Sequence, residues 1–391
     1  AEEWGTEDGG KTWTVKLRDN ATWVDINGEV KAQVTANDFA TGLEWVMNAQ
    51  KNQNNNTSMP SEMLVGAKEY NEWTASLSEA EAWALDASEG SVFMEMVGIE
   101  CPDDLTLVYH CPTEKPYFPS FPAWAGLYPM PQGMIDELGV EGVMAMDNTN
   151  YWYNGCYTMT TFVHGNEKVF TKNPHYWDTE ATLFDTVTVK MIDSNDVAYQ
   201  LYENGEIDMC DLTESALNTI YSNPDHKFYN YLVEKPATQY AFPFHINFDK
   251  VDPDTNEPDV NYNKAIANTA FRQSIYYGLD FTNYWKRTNA INPMSCENDA
   301  YTMKGLIYNS EGVDYVQMVR DELGLPAYDG KAPVRLDAEK TEALKAQAIE
   351  ELTAIGVTFP VEFDYYISGS NQTALDTANV LAQSISDCLG D

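Results

Sequence analysis

Basic residues are scarce in this chain of 391 residues. It has 23 Lys and Arg against 61 Asp and Glu, which gives a formal net charge of −38. A surface of that sign repels phosphate backbones and anionic lipid headgroups, so binding to nucleic acid or directly to a membrane surface is disfavoured. Two interpretations of the excess stay open: a solvated acid-rich surface, or the attraction of cationic ligands.

Long apolar runs and metal-ligand spacings are also missing. No stretch approaches the roughly 20 apolar residues of a transmembrane helix. The five histidines lie far apart, and the cysteines form no CxxC pair, so zinc, redox and cofactor sites are not expected. The sequence leaves open whether disulfides form and how they would pair, among Cys101, Cys111, Cys156, Cys210, Cys296 and Cys388.

Signatures of catalysis are absent as well. The chain has no GxSxG, no phosphate-binding loop of the Walker type, no GxGxxG after a strand and no HExxH. Asp252, Asp254 and Asn256 match the oxygen ligands at positions 1, 3 and 5 of a calcium-binding loop. However, Glu257 replaces the glycine at position 6, and Asn263 replaces the glutamate at position 12. We therefore interpret this run as a polar loop, and we expect neither a metal site nor catalytic residues.

Apolar and aromatic residues are plentiful enough for packed cores. Hydrophobic residues make up 43% of the chain and aromatics 13%, with 24 Tyr and 10 Trp. A chain of this length exceeds one core and predicts two or three domains. Tyr and Trp combine an apolar face with a polar group, which suits packing and ligand recognition alike.

Hydrophobic periodicity and capping residues predict an α/β protein. Thr35 with Asp38, and Ser78 with Glu81, form capping boxes that begin two helices. Polar loops are predicted at 52–57 and an irregular connector at 112–131. The predicted helices are 35–49, 78–87, 194–205, one beginning at 213, 263–277, 337–355 and 370–389. The predicted strands are 12–17, 21–23, 96–101, 105–111, 157–163, 168–172, 187–192, 240–248 and 361–367.

Two segments are dense in aromatic residues. Residues 151–157 place four large aromatic side chains around a glycine. In the predicted strand 240–248, alternation puts His245 and Asn247 on one face and Phe244 and Ile246 on the other. One face then belongs to a core and the other faces a cleft, although a fully buried strand has the same pattern.

Several ordered motifs carry a resemblance to a known family. In chain order they are Ala1-Glu-Glu-Trp4 with Thr12–Arg18, Ala21-Thr-Trp23 with Val34–Phe39, Asn154-Gly-Cys-Tyr157 with Lys172–Trp177, Gly205-Glu-Ile-Asp208, and Ile246-Asn-Phe248 with Phe271–Ser274 leading to Asp280. Together they resemble the family 5 extracellular solute-binding proteins, the oligopeptide- and dipeptide-binding components of ABC importers.

The resemblance implies a bilobal, type II periplasmic-binding-protein-like α/β fold with an additional N-terminal domain, and mixed sheets flanked by helices. Residues 1–150 would form the additional α+β domain, 151–243 part of the first lobe, and 244–391 part of the second. The chain would be a piece of such a protein, shortened at both ends. The acidic residue that pairs with a peptide's amino terminus would then lie outside it.

The resemblance also implies a function: capture of oligopeptides by hinge closure, followed by delivery to the permease subunits of an ABC importer. The protein would be a monomer, extracytoplasmic, in the periplasm or as a surface lipoprotein. Alternatives are an oligosaccharide binder of the same family, a glycan-active hydrolase with two carboxylates roughly 5 to 9.5 Å apart, and a sensor or adhesin. The ligand-binding candidates are Asn154, Tyr157, His245 and Asn247, with Tyr153 and Phe244 as lesser ones.

Overall fold

The chain divides into two compact units. The computed structural model describes residues 1–52, 56–235, 240–298, 300–325, 335–367 and 372–390. One unit is Ala1–Ile192 and the other is Asp193–Asp391. The three-part division with boundaries at 150 and 243 stays a prediction.

The first unit combines short strands with helices. Its strands are β1 (Glu3–Gly5), β2 (Thr12–Lys16), β3 (Thr22–Val24), β4 (Val30–Gln33), β5 (Ile99–Asp103), β6 (Thr106–His110), β7 (Tyr157–Val163), β8 (Glu167–Lys172) and β9 (Thr186–Lys190). Its α-helices are α1 (Ala36–Met47), α2 (Ser58–Met63), α3 (Ala67–Ala75), α4 (Glu79–Trp83), α5 (Val92–Met96) and α6 (Gln132–Met144). Two short 3₁₀ helices, Phe118–Ala123 and Ala125–Leu127, interrupt the predicted irregular connector.

Antiparallel pairing organises the strands of this unit. One sheet has the order β1-β2-β6-β5, a second pairs β3 with β4, and a third has the order β7-β8-β9. Within the described residues, every pairing between these strands is antiparallel. The predicted hairpin around residues 101–105 is confirmed: β5 and β6 pair antiparallel, with Ile99 opposite Tyr109.

The core of the first unit forms between the four-stranded sheet and α1, α3 and α5. Trp13 from β2, Leu43 from α1, Tyr70 from α3 and Phe93 from α5 are all buried in one cluster. The predicted capping box at the start of α1 is confirmed, since the Thr35 backbone N–H donates to the Asp38 carboxylate at 2.8 Å.

A buried polar network lies inside this unit. Lys51 Nζ is 2.8 Å from Glu44 Oε2, and both side chains are almost completely buried. Asn48 Nδ2 and the Tyr70 hydroxyl each donate to Glu44 Oε1 at 2.8 Å. Burial, and next the Glu44 charge, raise the pKa of Tyr70, so its hydroxyl stays a donor. The network satisfies a buried carboxylate with two neutral donors and one cation.

The second unit is mainly helical in its described part. Its α-helices are α7 (Asn195–Glu203), α8 (Glu214–Tyr221), α9 (Val260–Ala267), α10 (Thr269–Gly278), α11 (Thr282–Trp285), α12 (Tyr315–Glu322), α13 (Ala338–Ala354) and α14 (Gln372–Leu389). A small core joins Ala265 of α9 and Ala270 of α10 to Ala348 and Leu352 of α13. The predicted ends at Gly205 and Gly356 are confirmed, since each glycine has a positive φ just after its helix.

Two helix predictions differ from the structure. The predicted helix 263–277 is two helices, α9 and α10, because Asn268 is extended and its side chain accepts from the Phe271 N–H to start α10. The helix that begins at Ser78 ends at Trp83 rather than at 87. Residues 53–55 of the predicted loop, and 370 and 371 of the last predicted helix, lie outside the described residues.

Two strand predictions in the second unit are wrong. Residues 240–248 and 361–367 form no strand, and within the described chain no backbone hydrogen bond pairs 241–248 with another segment. The prediction that one face of 240–248 is core is also wrong, because Phe244 and Ile246 are exposed alongside His245 and Asn247. Alternation sets which side chains share a face, but a ladder of hydrogen bonds needs a partner strand.

Among the described helices, none combines the length and the apolar composition that a membrane span requires. In the same residues, no group of three or more His, Cys, Asp or Glu side chains is arranged to hold a metal ion.

Candidate functional site

The six candidate residues fall into two groups of three. Tyr153, Asn154 and Tyr157 lie in the first unit, at the turn that leads into β7. Phe244, His245 and Asn247 lie in the second unit, in the extended segment 241–248. Each group is a local arrangement built by its own unit.

Tyr153 is a structural member of the first group. Only 8% of the residue is exposed, and its backbone N–H and C=O both bond to Val24 of β3 at 2.8 Å. Its hydroxyl donates to the Asn148 carbonyl at 2.7 Å. Burial raises the pKa of Tyr153 to about 12. The side chain therefore holds the start of the turn rather than presenting a free polar group.

Asn173 supports the same turn from below the surface. It is fully buried, its side-chain amide donates to the Gly155 carbonyl at 2.9 Å, and its backbone N–H donates to the Cys156 carbonyl at 2.9 Å. Asn173 lies in the Lys172–Trp177 motif, directly before Pro174, but was not among the predicted site residues. The signal that could have identified it is an Asn before Pro after a strand, where an amide side chain satisfies a turn.

Asn154 and Tyr157 are the accessible polar groups of this turn. Both are partly exposed. Within the described residues, the side chain of Asn154 makes no hydrogen bond, so its amide donor and its carbonyl acceptor are available. The Tyr157 hydroxyl donates to the Phe184 carbonyl at 3.1 Å, which leaves its oxygen able to accept. The pair can therefore offer both donors and acceptors to a polar ligand.

The second group lies on an exposed, extended backbone. Phe244 stacks on Phe281 with 5.2 Å between ring centroids and 19° between planes. His245 is exposed, and the Asn247 side chain accepts from the Asp249 N–H at 2.9 Å. Because 241–248 has backbone groups without a strand partner in the described chain, an extended ligand backbone could pair with it.

A cluster of contacts fixes the end of this segment. The Lys250 backbone N–H donates to Asn263 Oδ1 at 2.7 Å, and the Asn263 amide returns a bond to the Lys250 carbonyl at 2.9 Å. The Lys250 ammonium lies 2.7 Å from Asp364 and 3.3 Å from Asp259. These contacts anchor 241–250 to α9 and to the second extended segment, 361–367.

The acidic loop after Lys250 is a turn. Asp252 Oδ1 accepts from the backbone N–H groups of Asp254 and Thr255 at 3.0 and 2.8 Å. Asn256 has a positive φ of 58°, which closes the turn. The first acidic oxygen of the supposed calcium spacing is therefore occupied by the loop's own backbone, in agreement with our interpretation of a polar loop.

Comparison with known proteins identifies the family. The chain matches the family described as "Bacterial extracellular solute-binding proteins, family 5 Middle" over residues 1–390. The chain belongs to this family, which is one of solute-binding proteins. The expectation from the sequence motifs is thereby confirmed.

Curated relatives of this chain are named oligopeptide-binding proteins, and they are longer than the chain. The oligopeptide-binding protein AliB of Streptococcus pneumoniae is 25% identical over 416 residues, covering 100% of this chain and 59% of AliB. The oligopeptide-binding protein OppA of Bacillus subtilis is 25% identical over 371 residues, covering 92% of this chain and 61% of OppA. The chain thus spans about three fifths of the length of these relatives.

A solved structure shows the fold. The substrate-binding domain of an oligopeptide ABC transporter from Bacillus anthracis superposes with a TM-score of 0.64 at 21% identity, covering 99% of this chain and 63% of that one. The predicted fold class is therefore confirmed: the chain has the α/β fold of type II periplasmic-binding-protein-like proteins.

Proposed function

We propose that this chain is the ligand-capturing part of an ABC importer for oligopeptides. The observation that carries the proposal is the family match across residues 1–390. Two curated relatives that align with nearly all of the chain are named oligopeptide-binding proteins, and this favours a peptide as ligand. Closure of two lobes over the ligand, and docking on permease subunits, are part of the proposal.

The ligand-binding roles divide between backbone and side-chain recognition. Asn154 and Tyr157 would bond polar groups of the peptide backbone, because their amide and hydroxyl groups are partly exposed. His245 and Asn247 would add polar contacts from the extended segment, and Phe244 an apolar one. Tyr153 would act by positioning the turn, since its hydroxyl is already bonded to Asn148.

No catalytic role is part of this proposal. The protein would bind its ligand as a monomer and release it unchanged. It would act outside the cytoplasm, in the periplasm or as a surface lipoprotein, because the family is extracellular.

A thermal-unfolding screen tests the proposal. The chain is heated alone, with a pool of mixed-sequence pentapeptides, and with a matched pool of oligosaccharides. A native-state ligand at a hundredfold excess over its Kd raises the melting temperature by about 3 °C for a chain of this size. Stabilisation by peptides alone supports the proposal, whereas stabilisation by oligosaccharides alone overturns it and favours a sugar binder.

A further inference from the structure

Three aromatic rings surround the candidate residue Phe244. Its ring stacks on Phe281 and meets Tyr284 at 5.6 Å and Tyr365 at 5.9 Å between centroids. The ring planes of Phe244 and Tyr284 are 64° apart, an edge-on arrangement, and those of Phe244 and Tyr365 are tilted by 47°. We call Phe244, Phe281, Tyr284 and Tyr365 the aromatic cluster.

The cluster joins three segments that are distant in sequence. Phe244 comes from the extended segment 241–248 and Tyr365 from the segment 361–367. Phe281 immediately precedes α11, and Tyr284 lies within it. The Lys250–Asp364 ion pair at 2.7 Å ties two of these segments together beside the cluster. Offset-stacked and edge-on contacts are the preferred geometries of aromatic pairs, so they favour one relative arrangement of the three segments.

Arg335 supports the cluster from the protein interior. It is 8% exposed, and its guanidinium lies 5.1 Å from the centre of the Phe281 ring. The same guanidinium donates to the Leu279 carbonyl at 2.7 Å, at the end of α10. A buried cation on the ring and a bond to the adjacent backbone fix the place of Phe281. Phe281 in turn fixes the ring stacked on it.

The cluster is packed on one side and open on the other. Phe244 is 43% exposed and Tyr365 is 49% exposed, although each makes ring contacts within the cluster. Burial, and next the Tyr365 hydroxyl beside it, raise the pKa of Tyr284 to about 12, so its phenol stays neutral. Rigid rings that carry hydroxyl groups present apolar area with little loss of conformational entropy on binding.

We propose that the aromatic cluster is the subsite for one aromatic or large apolar side chain of the peptide ligand. This inference rests on the proposed function and adds the ligand's side-chain preference to it. We assign a peptide side chain to the cluster because it adjoins the proposed peptide-contacting residues. Phe244 directly precedes His245, and Asn247 is three residues further along the same extended segment. Phe281, Tyr284 and Tyr365 are then specificity-determining residues, and Arg335 is a positioning residue.

Calorimetry with a small peptide set tests the inference. The probes are penta-alanine and five variants, each with a single Phe at one of the five positions. For the wild-type chain, we expect one position at which Phe strengthens binding by roughly tenfold over penta-alanine. Phe244→Ala and Tyr365→Ala are expected to remove that preference, so that the favoured Phe-containing peptide binds either variant no more tightly than penta-alanine binds the same variant.

Neighbouring residues supply the controls. Phe242 is 81% exposed and Tyr366 is 83% exposed, and neither belongs to the aromatic cluster. Phe242→Ala and Tyr366→Ala therefore remove a Phe and a Tyr side chain of the same types as Phe244 and Tyr365. Both controls are expected to keep the preference. For Arg335→Lys, a folded chain with a weaker Phe preference and unchanged penta-alanine affinity supports the positioning role, because a purely structural loss would weaken both probes alike.

The outcomes separate the two proposals. Equal affinity for all six peptides overturns the aromatic subsite and leaves peptide binding intact. Absence of binding for every peptide overturns the proposed function itself, and the subsite with it. A change of oligomeric state in Phe244→Ala, measured by sedimentation with peptide preference unchanged, identifies the cluster as a contact between copies and overturns the subsite.

Discussion

The Lys250 ammonium lies 2.7 Å from the Asp364 carboxylate, and this contact joins two extended segments of the second unit. The same ammonium is 3.3 Å from Asp259, at the start of α9. Hydrogen bonding to Asp364 is the main cause that raises the pKa of Lys250. Neither extended segment forms a strand, so this side chain substitutes in part for the backbone ladder that would otherwise hold them.

Replacing Lys250 tests that role. Lys250→Met keeps the length of the side chain and removes the charge. Because Asp364 is half-exposed, solvent screens the pair, and we expect a loss of about 1 kcal/mol or less in the free energy of unfolding. Urea denaturation measures it. The control is Lys68→Met, whose surface pair with Glu72 at 3.7 Å should contribute almost nothing. Equal effects of the two substitutions would contradict the role.

Asp259 predicts a dependence of stability on acid pH. The Tyr262 backbone N–H donates to its carboxylate at 3.0 Å, and this bond is the main cause that lowers the pKa of Asp259 below 3.8. At acid pH the unfolded chain therefore binds the proton more readily than the folded chain. The stabilisation is present above pH 3.8 and is lost as the pH falls through the folded pKa.

The variant Asp259→Asn isolates this effect. Asn is as good a helix cap as Asp, but it does not titrate. We expect the free energy of unfolding to fall more steeply between pH 5 and pH 3 in the wild-type chain than in the variant. Urea denaturation at three pH values gives both slopes. Identical slopes would show that the carboxylate contributes no pH-dependent stability.

The buried network of the first unit predicts a large effect. Lys51→Met leaves the Glu44 carboxylate buried without its cation, and breaking a buried pair in this way costs about 3 to 5 kcal/mol. The double variant Glu44→Gln with Lys51→Met removes both charges and should recover part of the loss. Denaturant unfolding of the single and double variants measures this difference. A loss below about 1 kcal/mol for Lys51→Met would contradict the account.

Two asparagines near β7 should behave in opposite ways. Asn173→Ala removes the amide that supports the Gly155 carbonyl, so we expect it to lower stability by about 1 to 3 kcal/mol. Asn154→Ala removes a side chain without hydrogen bonds in the described chain, so stability should hold while peptide affinity falls by roughly tenfold. Unfolding curves and calorimetry on both variants test the division. Lower stability with unchanged peptide affinity in Asn154→Ala would contradict a ligand contact at Asn154.

Local sequence chemistry predicted much of this structure. The capping box at Thr35 and Asp38, the hairpin of β5 and β6, and the helix ends at Gly205 and Gly356 were all predicted from short-range patterns and are present. The break at Asn268 was missed because apolar periodicity continues through it. An Asn three residues before the Phe271 N–H is a capping signal that could have revealed it.

Long-range contacts account for what could not be predicted. The sequence pattern of 240–248 predicts a strand, but pairing depends on a partner that alternation does not specify. The contact of Phe244 with Tyr365 joins residues that are 121 positions apart, and no short-range sequence pattern predicts it. The Asn-before-Pro pattern marks Asn173 as a turn residue, but the partner of its buried amide, the Gly155 carbonyl, is specified only by the three-dimensional structure.

Isothermal titration calorimetry of the chain with mixed-sequence pentapeptides tests the central claim most directly. The account predicts saturable binding at one peptide per chain, with a negative heat-capacity change from buried apolar surface, and no binding of oligosaccharides under the same conditions. Absence of peptide binding together with saturable binding of an oligosaccharide would contradict it.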